Sequence, residues 1–382
     1  MAFIESMIST TEDLQAVIQV LSRCDAIAVD TEFYWRHSYY PELCLIQIAT
    51  QTQAYLIDAL SEKMDLTLLG AIFSSADICK IMHAADNDIK ILKHALKAHF
   101  CNIFDTQLAT AFTSTQHQIS LQSLLFDLSI VQMDKQEKLS DWRDRPLTQE
   151  QIDYATSDVI YLYEAYQQLT KALETQNKLP AFNEEMQMLC ETSNFPNNQR
   201  ILESNQNLLR SAHGKKRKNL IALILWREQY AQQKDWVVRH ILDNRELTAL
   251  ADLRPKSSQD ILNSHILSSK KAKRFSSLII DALDYTDAEI TPFLTLINTL
   301  LRYTYASFNK DAINDCYDAM SEFCREKNLA IEIVTSKSDL RIFIKSYLTN
   351  PLQPKGKLAS GWRFDYFGKS LIQWIGVNEN RL

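Results

Sequence analysis

The chain has 382 residues, 46% of them hydrophobic and 23% charged, with a formal net charge of −6 at pH 7. That length implies two or three domains, and the acidic balance argues against a coat that binds nucleic acid over its whole surface. No apolar run reaches the ~18 residues of a membrane span, and the opening MAFIESMISTTEDL lacks the basic and apolar regions of a secretory leader.

Seven cysteines, at Cys24, Cys44, Cys79, Cys101, Cys190, Cys316 and Cys324, form no C-x-x-C pair and no metal-like spacing. They read as reduced thiols, which predicts a cytoplasmic protein.

AIAVDTEF, Ala26–Phe33, is a run of small and β-branched apolar residues that ends in Asp, Thr, Glu and Phe. It predicts a strand. CLIQIAT (Cys44–Thr50) and AYLID (Ala54–Asp58) predict two more, and the joints YYPEL and TQTQ fit hairpins, so the three form an antiparallel meander. ICKIMHA (Ile78–Ala84) predicts a fourth strand. DNDIKILKHAL follows with Ile89, Leu92 and Leu96 at helical spacing. CNIFDT (Cys101–Thr106) predicts a short fifth strand running into a helix.

From Thr148, TQEQIDYATSDVIYLYEAYQQLTKAL contains no Gly or Pro. It predicts one helix of about seven turns, opened by a capping box at Thr148 and Gln151. Beyond about Asn205 no alternating strand pattern appears and the chain reads as helices. The polar stretches NNQ (Asn197–Gln199), SNQN (Ser204–Asn207) and DYTDAEITP (Asp284–Pro292) mark breaks. The expected organisation is an α/β domain over 1–200, including a linker from about 176, then helical modules over 205–287 and 290–382.

In a strand, residues i and i+2 share a face, so Asp30 and Glu32 project together from the end of the first strand. Two carboxylates held so close repel each other unless a cation lies between them. Hard oxygen ligands without nearby His or Cys suit Mg²⁺ or Mn²⁺ rather than zinc. Alone, D-x-E is short and common and reads first as a solvated strand terminus. Asp88 lies just past the fourth strand. Asp86 is its rival but suits a helix cap, and spacing favours Asp88. Tyr154 and Asp158, four apart on the long helix, stack on one face, whereas Asp153 points elsewhere.

D-T-E-F after a strand, an acid after a later strand and Y-x-x-x-D on a following helix arrive in that order. The set resembles the DEDD exonuclease superfamily in its tyrosine-containing branch. TEFYWRHSYYPELCLIQI, IMHAADNDIKIL, FDTQLATAF and DKQEKLSDWRDRPLTQEQIDYATSDVIYL extend the resemblance to the ribonuclease D family. LIALILWREQYAQQKDWVVRHILDNRELTALADLRP, Leu220–Pro255, resembles the HRDC module of that family, and ASGWRFDYFGKSLIQW is similar to its second, divergent HRDC. The resemblance implies an α/β, ribonuclease H-like exonuclease domain, with a mixed sheet flanked by helices, followed by two all-helical HRDC domains.

It further implies a metal-dependent 3′–5′ exoribonuclease that releases nucleoside 5′-monophosphates. Two divalent cations, Mg²⁺ or Mn²⁺, would be held by Asp30, Glu32, Asp88 and Asp158. Asp30 would bridge both ions, Glu32 and Asp158 would complete the ion that activates water, and Asp88 would support the other. Tyr154 would orient the nucleophile by a hydrogen bond. The implied partner is RNA with a free 3′ end, such as tRNA precursors and small structured RNAs, with no organic cofactor and no membrane.

Around these residues the readings divide. Phe33 and His83 are candidate contacts to the terminal nucleotide, and His83 equally suits a strand end with a backbone partner. Arg143 and Arg145 in SDWRDRPL can hold a phosphate, or an Arg–Asp pair and Trp142 can shape the loop. Asp105 in FDTQ reads as a helix start. Tyr161, Tyr163 and Tyr166 read as packing. The basic clusters supply candidate phosphate contacts at Arg210, Lys215, Lys216, Arg217, Lys218, Lys270, Lys271, Lys273 and Arg274. Each cluster equally suits a solvated helix face.

Two alternatives stand beside the exoribonuclease. Proofreading DNA exonucleases carry Asn four residues before the third acid, where this chain has Ala84. That weakens a DNA exonuclease, and the absence of G-x-x-x-x-G-K-[ST] excludes a helicase. A non-catalytic RNA-binding protein would tolerate loss of an acid, and none is lost.

Overall fold

The computed structural model describes residues 4–132, 141–305 and 307–382. The motif portion at 134–140 lies outside them. Short apolar runs, mostly buried on both faces, form a sheet with β1 (Ile4–Ile8), β2 (Ala26–Tyr34), β3 (Glu42–Ala49), β4 (Gln53–Asp58), β5 (Cys79–Met82) and β6 (Ile103–Asp105). Their order is β1-β4-β3-β2-β5-β6. β2, β3 and β4 are an antiparallel meander, as the hairpin joints require, while β2–β5, β5–β6 and β1–β4 are parallel. The sheet is therefore mixed, and β1 is a strand that sequence reading did not find.

Helices cover both faces of β2. Ile27 and Val29 pack in one apolar cluster with Ile89 and Leu92 of the Asp86–Leu96 helix. Ala26 and Ala28, on the alternate face, join a cluster with Val159, Leu162 and Leu169. The single long helix expected from Thr148 is two, Gln149–Ile160 and Leu162–Thr175, divided at Tyr161. Its start is as expected, with the Thr148–Gln151 capping box formed.

The chain divides into two compact units. One comprises 1–34, 41–194 and 308–382; the other comprises 35–40 and 195–307. This differs from the sequence boundaries. Ile313, Phe343 and Trp362 share one apolar cluster with Phe112 and Phe182 of the α/β part, and the Phe112 and Trp362 rings lie 4.9 Å apart. The C-terminal helices are thus built onto the sheet domain.

DYTDAEITP is a helix start rather than a domain break. Thr286 and Glu289 form the capping box of the Asp287–Thr304 helix, whose Ile290 and Ile297 are buried in the core of the second unit. That core is organised by the Gly214–Lys234 helix, with Leu220, Ile221, Leu223 and Ile224 fully buried. Among the described residues no helix is long and apolar enough to cross a membrane, and all seven cysteines are free.

Candidate active site

Strand alternation and helical repeat bring three of the expected acids together. Single carboxylate oxygens of Asp30, Glu32 and Asp158 lie within 4.8 Å of one another. Among the described residues this is the only such group of His, Cys, Asp or Glu. A bulge between Glu32 and Phe33 shifts the β2–β3 register just past the acids, with pairing resumed at Phe33 and Leu43, and the Gln149–Ile160 helix packs over β2.

Asp88 is not one of the three. Thr31 alternates to the other face of β2, and its hydroxyl donates to the buried Asp88 carboxylate. Asp86 is the outer acid of that turn. It pairs with Lys90 and accepts a 2.7 Å hydrogen bond from Ser193 Oγ, so the choice of Asp88 by spacing agrees with the inward position.

Asp105 holds this turn in place. Its buried carboxylate accepts from the backbone N–H of Ala84 and Ala85 (3.2 and 2.9 Å) and from Gln107 and Leu108 (2.8 and 3.1 Å). Ala84 has a φ of 57°, in the left-handed region, a conformation costing a non-glycine residue roughly 1–2 kcal/mol. Asp105 offsets that strain and caps the following helix, as its reading as a helix start anticipated.

The electrostatics show a site short of positive charge. Burial, then the charges of Asp88, Asp158 and Glu32, raise Asp30 well above the usual carboxylate range. Glu32 is pushed up to about 8 by burial and then by Asp158 and Asp88. Burial raises Asp88 to about 6, against the opposing hydrogen bond from Thr31. The Tyr154 phenol, hydrogen-bonded to Asp158, is raised by burial and then by Asp158.

Gln47 stands opposite Asp30 on β3 and therefore projects to the same face. It is fully buried, with neither amide atom partnered. Carboxylate-only donors, repulsion within the cluster and a neighbouring orphan amide together fit a hard divalent cation and its bound water. Nothing in the local sequence marked Gln47. Only its register with Asp30 does.

The neighbouring candidates fare differently. His83 has both ring nitrogens engaged, Nδ1 with Thr106 Oγ1 at 2.8 Å and Nε2 with the Ile119 carbonyl at 3.0 Å. Those partners suit the strand-end reading of His83, one of its two alternatives. Phe33 is half-buried beside the acids. Trp142 is buried, and its ring lies 6.0 Å from that of Tyr154, so it backs the tyrosine. Tyr166 packs edge-on to Phe104 at 4.7 Å, and Tyr163 lies against Tyr166.

Arg143 pairs with Asp141 at 2.6 Å and covers the Tyr34 ring at 3.5 Å. Arg145 makes a two-pronged pair with Asp58 (3.0 and 2.7 Å) and donates to the carbonyls of Trp142, Asp144 and Cys44. Its donors are spent tying the loop to the sheet, the loop-shaping alternative of its two readings. Arg145→Ala is expected to lower the melting temperature, by about 1–3 kcal/mol of stability, while the salt dependence of RNA binding stays that of the wild type.

The basic clusters are also largely committed within their unit. Lys216 pairs with Asp252 and Lys218 with Asp287, each at 2.6 Å. Arg217 donates to the Leu209 and Ala212 carbonyls and to Asn298. Lys215 lies over the Tyr285 ring at 4.5 Å, and Lys271 pairs with Glu246 at 2.7 Å. Arg210 covers Tyr305 and Arg274 covers Trp236. Lys270 and Lys273 remain exposed.

Residues 6–174 match a 3′–5′ exonuclease family, and residues 218–283 match the HRDC domain. The chain is 34% identical over 282 residues to ribonuclease D of Desulfotalea psychrophila, spanning 73% of this chain and 74% of that protein. It is 28% identical over 379 residues to ribonuclease D of Zymomonas mobilis, spanning 97% and 94%. The crystal structure of Escherichia coli RNase D superposes with a TM-score of 0.82, covering 99% of each chain at 24% identity. That last likeness is one of fold.

Proposed function

The chain belongs to the ribonuclease D family, and from that premise we propose that Asp30, Glu32, Asp88, Asp158 and Tyr154 form its catalytic site. It is a 3′–5′ exoribonuclease, and we take it to release nucleoside 5′-monophosphates from tRNA precursors and other small structured RNAs. The observation that carries this reading is the convergence of Asp30, Glu32 and Asp158.

The family depends on divalent metal, and two ions, Mg²⁺ or Mn²⁺, are proposed for this chain. Asp30, Glu32 and Asp158 would hold them, with Asp88 in support. Bound there, they neutralise phosphate charge and lower the pKa of water. The side chains do the rest. The raised carboxyls of Asp30 and Glu32 would give up their protons to a bound cation, with Asp158 beside them as a third oxygen donor. Tyr154, with its pKa raised, stays protonated at neutral pH; its one O–H is turned to Asp158 in the cation-free site, and its proposed role is to turn from there and orient the attacking water. Phe33 offers a ring to the terminal base. The seven unpaired thiols suit a reducing compartment, and the cytoplasm is the compartment proposed.

The test uses a 5′-labelled structured RNA with a single-stranded 3′ tail, in Mg²⁺ or Mn²⁺, beside a matched DNA. A ladder shortening from the 3′ end on RNA, abolished by EDTA, is expected. Binding without shortening in either metal overturns the reading, and equal shortening of the DNA moves it to a DNA exonuclease. Tyr154→Phe keeps the ring that packs on Trp142 and removes the hydroxyl. It is expected to lower kcat by on the order of 10²-fold with KM little changed.

A further inference from the structure

The side chains of the GKKRK cluster are engaged within the helical unit, so an anion site is sought elsewhere in it. A cavity of about 560 Å³ in that unit is lined by Arg227, Arg239 and Arg245, with Asp243, Asn244, Ser204 and Asn205 among its walls. Arg227 is 4% exposed. Its Nη1 donates to the Leu242 carbonyl and to Asn244 Oδ1, both at 3.1 Å. Its nearest carboxylate, on Glu228, is 3.6 Å from Nη2, and Nε has no partner. The guanidinium is thus a buried cation with incomplete compensation, an expensive state unless an anion approaches.

The rim adds to the same field. Arg239 and Arg245 are exposed, and among the described residues neither forms an ion pair. Asp243 is the one carboxylate in the lining. It is already turned to the Arg245 and Glu246 N–H groups as the cap of the Asn244–Leu253 helix, with both bonds at 2.8 Å. Three guanidinium groups stand against Asp243, already engaged as a cap, and Glu228 behind Arg227, which leaves the cavity with an excess of positive charge at its rim.

We propose that this cavity binds a phosphate group, with Arg239 and Arg245 as forked donors and Arg227 as the buried charge beneath them. The phosphate is either a backbone diester of the RNA upstream of the trimmed end or a free phosphomonoester. The inference rests on the chain acting on RNA, and the test separates the two.

The full chain and R239E/R245E, both exposed changes, are compared. Trimming of a short single-stranded RNA, which needs only the carboxylate site, reports whether the function reading holds. Binding of a long structured RNA is then measured in EDTA across salt concentrations. Loss of roughly tenfold in affinity, with the log Kd–log salt slope shallower by about 0.7–0.9 per lost contact, assigns the cavity to the backbone. In the second arm, inorganic phosphate and a nucleoside 5′-monophosphate are titrated calorimetrically. Binding to wild type but not to the variant, with RNA affinity unchanged, assigns it to a phosphomonoester. No difference between wild type and variant in either arm, with trimming intact, overturns the proposal. R227M, compared at matched melting temperature, checks the buried charge by the same slope.

Discussion

Asp30→Asn is expected to abolish 3′ trimming and, in the absence of divalent cation, to raise the melting temperature. Both effects follow from one cause. Asp30 shares its buried surroundings with Glu32, Asp88 and Asp158, and all three charges raise its pKa after burial itself. Asparagine keeps the shape and removes the ionisable group. Loss of one group aimed at developing charge lowers kcat by on the order of 10²–10³, and a shared ligand is expected to cost at least that.

The stability effect has the opposite sign because the cluster is strained when empty of cations. A carboxyl whose pKa is higher folded than unfolded binds more protons in the folded state. Its contribution to stability therefore falls as pH rises between the two values. For Glu32 that window runs from 4.5 to about 8, and a tenfold change in proton affinity is worth about 1.4 kcal/mol. In EDTA, wild type should lose stability steadily across this range and Asp30→Asn should lose less. Added Mn²⁺ should flatten the wild-type profile and leave the variant nearly unmoved. Thermal melts from pH 5 to pH 8 would decide it, and a variant less stable than wild type in EDTA at pH 8 would show that the acids do not repel.

The pieces legible in the sequence were those set by local pattern. β2 to β4 were readable because alternation and short polar joints fix both strand and hairpin, and Asp30 and Glu32 inherit their shared face from that alternation. Tyr154 and Asp158 are readable from helical repeat alone. β1 was not, because Ile4–Ile8 acquires its strand character from parallel pairing with β4, which lies far along the chain. The two readings of Arg145, a phosphate contact or an Arg–Asp pair, could not be separated in sequence for the same reason, as its partner Asp58 is 87 residues away. The GKKRK residues find Asp252, Asp287 and Asn298 only in the fold. A capping box at Thr286 reads as a break because helix starts and linkers use the same polar residues. Charge is visible in sequence, but whether a charge is spent is a matter of long-range contacts.

Lys178→Met should be among the most destabilising single changes in the chain, and it acts far from the carboxylates in chemistry. Lys178 is 4% exposed. Its ammonium donates to the Phe112 carbonyl at 2.8 Å, Gln176 Oε1 at 2.7 Å, and the Lys327 and Asn328 carbonyls at 2.6 and 2.9 Å. Phe112 ends a helix of the α/β part, while Lys327 and Asn328 close the Lys310–Glu326 helix of the C-terminal region. One cation therefore ties two parts of the same compact unit through the carbonyls of Phe112, Lys327 and Asn328. Methionine fills the volume of the stem but leaves those oxygens buried and unpaired, and breaking such a buried charged contact costs about 3–5 kcal/mol. The apolar core joining Phe112 and Trp362 remains, so the chain should still fold. The loss should appear as a lower melting temperature and faster proteolysis near residue 308, with Mn²⁺ affinity unchanged. A variant that melts like wild type would mean that water replaces the ammonium, and that the apolar contacts alone hold the C-terminal helices on the sheet domain.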